Sequence, residues 1–157
     1  MSTELKFDKD AHDSILEGAR IVHDAVSATL GPRGNNVAIG YPGALEPRVV
    51  HDGVTVSKSI ELEDEFQNAG AQLMRSAAER TNKESGDGTT LTTILAYAIL
   101  KESLKNITAG ANAQMIRRGI DKAVEALCDG LYDMSAPVNT TEQKEQIATI
   151  SAQSEQI

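Results

Sequence analysis

The chain has 157 residues, 23 acidic against 15 basic, and a formal net charge of −8. That balance argues against a nucleic-acid or anionic-membrane surface as the main partner, since both require clustered Lys and Arg. Aromatic residues make up only 3% and tryptophan is absent, so the core has to be built from Ala, Ile, Leu and Val, which suit closely packed helices. The length fits one domain with the start of a second. Cys128 is the sole cysteine, so no intramolecular disulfide forms, and beside Leu127 it reads as a small packed residue rather than a nucleophile. With no signal-peptide pattern and no 18-residue apolar run, the expectation is a soluble cytoplasmic protein.

From Lys9 to Leu30 the positions Ala11, Ile15, Ala19, Val22, Val26 and Leu30 step by four and three and define one helical face. Gly31 and Pro32 stop that helix, the first as a permissive residue past its end and the second because it cannot continue the hydrogen-bond ladder. His12 and His23 are expected on or beside its exposed side. The β-rich runs "NNVAIGY" (35–41) and "RVVHDGVTV" (48–56) flank the turn-rich "PGALEP" (42–47) and predict a hairpin near 35–56. Only two short strands are present, so its outer edge is expected to be unpaired within the chain. His51-Asp52-Gly53 reads as a second tight turn. Asp64 to about Asn82 predicts a helix with Phe66, Ala69, Leu73, Ala77 and Ala78 on one side. A third runs from Thr89 to about Ala109, closed by Gly110. A fourth, Ala113 to Tyr132, carries Ile116, Ile120, Ala123, Leu127 and Leu131. "SAPVNTTEQ" (135–143) is a break before the short helical "EQKEQIATI" (142–150). The fold expected is mainly α with one β-hairpin, with a composition shift near Pro137.

Three loops are richer than linkers require: "TLGPRG" (29–34), "HDG" (51–53) and "GDGTT" (86–90). A helix starting at Gly88 or Thr89 presents orphan N–H groups and the positive end of its dipole. Gly86 and Gly88 let backbone approach a ligand without a Cβ in the way, and Thr89 and Thr90 add hydroxyl donors. Together these suit a phosphate. Asp87 makes sense there if it binds Mg²⁺, a hard cation that takes carboxylate and phosphate oxygens together. The same residues also fit a Gly-rich turn between helices with Asp or Thr as N-cap, worth about 1 kcal/mol. Asp52 likewise reads as a turn residue or as a carboxylate aimed at water or metal. Other nucleotide motifs fail: there is no Gly-Lys pair, and position 91 is Leu where G-x-G-x-x-G needs Gly. His12, His23, His51 and Cys128 have no metal-ligand spacing, so zinc or cysteine hydrolase chemistry lacks support.

The order of these loops and helices resembles group I chaperonins, the bacterial GroEL type. The segments that carry the likeness are "DAVSATLGPRGNNV", "HDGVTVSKSIELEDEFQNAGAQLM", "SGDGTTLTTILAYAIL", "AGANAQMIRRGIDKAV" and "TISAQS", and the resemblance covers the chain from Phe7 to Ser154. The resemblance implies the helical equatorial domain of an ATP-hydrolysing chaperone that assists protein folding. Its N-terminal half would span 1–136, with the intermediate domain starting over 137–157. Thr29, Leu30, Gly31 and Pro32 match the family loop that contacts ATP phosphates. Asp87, Gly88, Thr89 and Thr90 match its phosphate and Mg²⁺ loop, with Asp87 as the metal carboxylate. Asp52 matches a carboxylate implicated in arranging the attacking water, which makes it the catalytic residue. Thr29, Thr90 and residue 51 fall where the family places K⁺, partly through backbone oxygens. Ile150 and Ser151 match a stretch near the nucleotide. Two residues depart from the pattern. Leu91 stands where a third Thr is usual, which removes one hydroxyl contact, and His51 stands where Lys is usual, which leaves only a backbone contact.

Family subunits are much longer than this chain. The resemblance places the apical domain, which holds unfolded polypeptide clients and the co-chaperonin, beyond position 157. The same holds for the second equatorial half and for the intermediate-domain Asp that completes hydrolysis. It also implies a homo-oligomeric double ring, in which the hairpin pairs with a neighbouring subunit, and very low ATPase from these 157 residues alone. The alternative is a non-catalytic helical interaction module on the same scaffold, favoured by Leu91 and His51; nucleotide binding separates the two.

Overall fold

The computed structural model describes residues 5–31, 34–40, 43 and 45–152. It divides into two compact units, Met1–Gly110 and Ala111–Ile157. The first contains α1 (Asp8–Ser27), β1 (Val37–Ile39), β2 (Arg48–Val50), α2 (Gly53–Ser59), α3 (Glu65–Glu84) and α4 (Thr89–Thr108). The second contains α5 (Ala113–Met134) and α6 (Thr141–Ser151). The mainly helical reading with one hairpin holds.

The first unit is organised by two glycines. A Cβ on Gly18 of α1 would overlap the carbonyl of Gln67 in α3, and a Cβ on Gly70 of α3 would overlap the carbonyl of Ile15 in α1. The two helices therefore meet backbone to backbone. Around that crossing lies a core of small side chains: Ala19, Val22 and Val26 of α1, Val56 of α2, and Ala71 and Met74 of α3. Ala96, Tyr97 and Leu100 of α4 pack against it, as do Val37 and Val50 of the hairpin. Each fully buried valine contributes about 1.5–3 kcal/mol relative to exposure.

The polar groups are placed to serve the same arrangement. Asp64 caps α3, accepting from Phe66 N at 3.0 Å and Gln67 N at 2.8 Å, and it pairs with Lys6 at 3.1 Å. Arg75 Nη2 donates to Ile60 O at 2.7 Å and so ties α3 to the segment after α2. α4 turns hydroxyls inward: Thr93 is buried and donates to Thr89 O at 3.0 Å, and the hydroxyls of Thr81 and Thr92 lie 3.0 Å apart between α3 and α4. The face of α4 carrying Leu91, Leu95 and Ile99 is about half exposed.

The antiparallel register is Val37 with Val50, Ala38 with Val49 and Ile39 with Arg48. The hairpin is shorter than expected. The run Val54-Thr55-Val56 alternates like a strand but lies in α2, because Asp52 caps that helix and Gly53, Val54, Val56 and Ser57 bury one side of it. A second correction concerns α3. Its inward positions are Gly70, Ala71, Met74 and Ala78, while Ala69 and Leu73 face solvent, since the Gly70 contact sets the rotation of the helix. His23 is also not simply exposed: its ring lies 4.4 Å from that of Tyr97 across α1 and α4.

In the second unit, Asn112 caps α5 through Gln114 N and Met115 N. Thr140 and Gln143 form a reciprocal capping box at α6. Cys128 is exposed rather than packed, because it shares the apolar face of α5 with Leu127 and Leu131, which are themselves exposed.

The crossing predicts an unusual sign for a helix substitution. Gly70→Ala gains about 1 kcal/mol of helix propensity but drives a methyl into a fixed carbonyl, an overpacking that costs about 1–3 kcal/mol. The variant is expected to unfold at lower urea than the parent. A midpoint raised by Gly70→Ala would show that the backbones do not touch there.

Candidate functional site

The first loop leaves α1 through a tight turn. Thr29 donates to Val26 O twice, from its amide at 3.0 Å and its hydroxyl at 2.8 Å. Leu30 N reaches Ser27 O at 3.1 Å, and the Leu30 side chain is half exposed. Gly31 has φ +77°, a conformation that favours glycine. The chain then closes back, with Gly34 N on Gly31 O at 2.9 Å and Asn35 N on Ala28 O at 2.7 Å. A Cβ on Gly34 would overlap the Thr29 carbonyl. Pro32 lies outside the described residues.

The second loop ends as a helix cap. Asp52 Oδ1 accepts from Val54 N at 3.3 Å, while Oδ2 accepts from Thr55 N at 2.9 Å and Thr55 Oγ1 at 2.7 Å. Desolvation pushes the carboxyl up, but the Thr55 hydroxyl and amide, the Val54 amide and the neighbouring His51 together outweigh it and hold Asp52 below the usual aspartate range. His51 itself is exposed.

The third loop joins α3 to α4. Ser85 N and Gly86 N close α3 on Thr81 O at 2.8 Å and Asn82 O at 3.1 Å. Gly86 and Gly88 have φ +74° and +79°, so a left-handed residue stands on each side of Asp87. Asp87 is exposed, and its Oδ1 accepts from Gly88 N at 2.6 Å. The first bond of α4 runs from Thr92 N to Gly88 O at 2.9 Å. Before it come the amides of Thr89, Thr90 and Leu91, and α4 has neither a side-chain cap nor an acidic residue in its first turn. α1 also lacks a side-chain cap, but it carries Asp8 and Asp10 in its first turn. α2, α3, α5 and α6 are capped by Asp52, Asp64, Asn112 and Thr140. Among the described helices, α4 is thus the one with neither a side-chain cap nor an acidic residue in its first turn, and the amides that open it are left to a ligand.

These loops meet. A Cβ on Gly53 would overlap Thr90 Oγ1 and approach Val26 Cγ1 to 3.1 Å. The turn that holds Asp52, the first turn of α4 and the end of α1 are therefore in contact at one residue. The sequence singled out all three loops; what it did not reveal was Gly53 as their junction or Val26 as the acceptor that sets Thr29. Ser151 is the last residue of α6, exposed, in the second unit. Among the described residues no three His, Cys, Asp or Glu side chains gather to hold a metal. An ion at Asp87 would have one protein carboxylate, which fits a metal shared with phosphate oxygens and waters rather than an all-protein cage.

Residues 22–157 match the sequence model of the TCP-1/cpn60 chaperonin family. Among solved structures, the chaperonin gp146 from the bacteriophage EL (Pseudomonas aeruginosa), crystallised in the presence of ATP-BeFx, superposes with a TM-score of 0.71. It is 32% identical over 84% of this chain, and the match accounts for 23% of the phage protein. The chain belongs to the chaperonin family, and its helical fold with one hairpin is that of the chaperonin equatorial region. It spans about a quarter of the length of the phage chaperonin it matches.

The Asp52 cap has a pH signature. Its folded pKa is depressed, so its contribution is fully present above the unfolded aspartate value of about 3.9 and is lost as pH falls through the folded value. Asp52→Ala is expected to cost about 1 kcal/mol at pH 7 and progressively less below pH 4. Urea unfolding of both proteins across this range checks it; a penalty that grows on acidification would contradict the capping geometry.

Proposed function

We propose that this chain supplies the first half of a chaperonin ATP site, with residues 1–136 in the equatorial domain and 137–157 opening the intermediate domain, in an ATP-dependent molecular chaperone. The observation that carries this reading is the start of α4: free amides at Thr89, Thr90 and Leu91 behind two left-handed glycines that present Asp87. Free amides and the helix dipole favour a phosphate. Asp87 would hold Mg²⁺, whose chemistry is to neutralise and orient phosphate oxygens. Gly88 gives the close approach, and Thr89 and Thr90 stand at the first turn. Leu91 offers its amide but no hydroxyl. Thr29, Leu30 and Gly31 would line the phosphates from the α1 side, Pro32 matches the same family loop, and Ser151 matches the family's nucleotide-contacting stretch in the intermediate domain. Backbone oxygens of Thr29 and His51, with Thr90, would take K⁺. Asp52, ionised at neutral pH, would hold the attacking water by accepting its hydrogen.

Family membership favours a subunit of a homo-oligomeric double ring that acts in the cytoplasm on unfolded polypeptide clients with a co-chaperonin, through parts of the subunit outside this chain. Among the described residues no helix is long and apolar enough to cross a membrane.

The decisive variant is Asp87→Ala. Asp87 is exposed and contributes nothing to the core, so circular dichroism should be unchanged and the urea midpoint should fall only by the cap-sized cost, about 1 kcal/mol, of the lost bond from Gly88 N. Mg²⁺-dependent ATP binding, measured by calorimetry, should be lost. An unchanged affinity for Mg·ATP would refute the assignment.

A further inference from the structure

We infer that Gly53 is a positioning residue that registers the Asp52 carboxylate against the Thr90 loop, an inference that rests on the ATP-site reading for its functional meaning. Asp52 is tied to the first turn of α2 by three hydrogen bonds, from Val54 N, Thr55 N and Thr55 Oγ1. It therefore moves with that turn. Gly53 is a buried residue of the same turn. Its α-carbon faces Thr90 Oγ1 so closely that a Cβ would overlap it, and the same Cβ would come within 3.1 Å of Val26 Cγ1.

Val26 is fully buried, and the Thr90 hydroxyl can clear a methyl only by leaving the rotamer it occupies. Neither neighbour can simply give way. Ordinary backbone conformation does not demand glycine at position 53: it is the first residue of α2 and is not among the residues with positive φ. The absence of a side chain is needed for the approach alone. Any larger residue has to push the α2 turn, and Asp52 with it, away from the first turn of α4. Thr29 is held on the carbonyl of Val26, so one contact sets the spacing of all three loops.

The test is a double-mutant cycle on this chain with Gly53→Ala and Thr90→Ala, read by urea unfolding without ligand. Gly53→Ala should lower the midpoint, and the same change in the Thr90→Ala background should lower it by less than half as much. Equal shifts in the two backgrounds overturn the contact. If Gly53→Ala does not fold alone, refolding of the double variant supports the contact and failure to refold overturns it.

Calorimetry with Mg·ADP then separates positioning from packing. Gly53→Ala should weaken binding at least tenfold, and Gly53→Ala/Thr90→Ser should recover most of it, because serine keeps the hydroxyl and can turn it aside. A folded Gly53→Ala with parental affinity overturns the positioning role. A parent chain that binds no Mg·ADP overturns the ATP-site reading instead, and the four midpoints still decide whether Gly53 joins the loops.

Discussion

The first unit depends on the contact of two helix backbones. At the crossing of α1 and α3, Gly18 lies against the Gln67 carbonyl and Gly70 against the Ile15 carbonyl. Nothing longer than hydrogen fits on either side. The space left around that crossing is narrow, which is why its core is Ala19, Val22, Val26, Val56, Ala71 and Met74 and why a chain with 3% aromatic residues can fill it. Close packing of small residues gains its stability from many short contacts rather than from a few large buried surfaces.

With α1 and α3 fixed in this way, α4 takes the remaining side and runs antiparallel to α1. The start of α1 (Asp8, Lys9, His12) shares a cleft with the end of α4 (Ile107, Thr108). Further along, His23 meets Tyr97, and near the end of α1 both Val26 and Thr90 flank Gly53. This direction brings the loop after α1 to the loop before α4, although Gly34 and Gly86 are 52 positions apart in sequence. The short α2 completes the corner. Seven residues would not hold a helix in isolation; its formation rests on the Asp52 cap and on the burial of Val54, Val56 and Ser57. The core and the candidate site thus share Val26 and the α2 turn.

What was legible in the sequence is what local chemistry decides. The four-and-three spacing of Ala19, Val22 and Val26 announces the buried face of α1, and the glycines around Asp87 announce a turn with two left-handed residues. What was not legible comes from contacts distant in sequence. Val54-Thr55-Val56 has the period of a strand, and only the cap and a partner surface make it helical. Apolar side chains alone put Leu73 on the inward face of α3, whereas the buried face runs through Gly70, Ala71, Met74 and Ala78. Gly70 is the better marker of that face, since a glycine in a helix interior costs stability unless something must come close. Gly53 and Thr90 each had a sufficient local explanation, in a turn and at a helix start, so nothing local pointed from one to the other.

The state of Asp52 bears on the kind of chemistry the proposed site could perform. Three donors hold its two oxygens and keep its pKa below the usual range. A carboxylate so stabilised is a poor proton acceptor, because general-base efficiency rises as the pKa approaches the working pH. The same bonds make it a well-located one. Oδ1 carries one of the three donors and keeps a lone-pair direction for a further partner. A group of this kind fixes where a water sits and how its hydrogens point, while activation of the leaving phosphate would fall to the cation and to the amides at the start of α4. In that division of labour, the spacing between Asp52 and the α4 loop matters more than the basicity of Asp52, and spacing is what the junction at Gly53 controls.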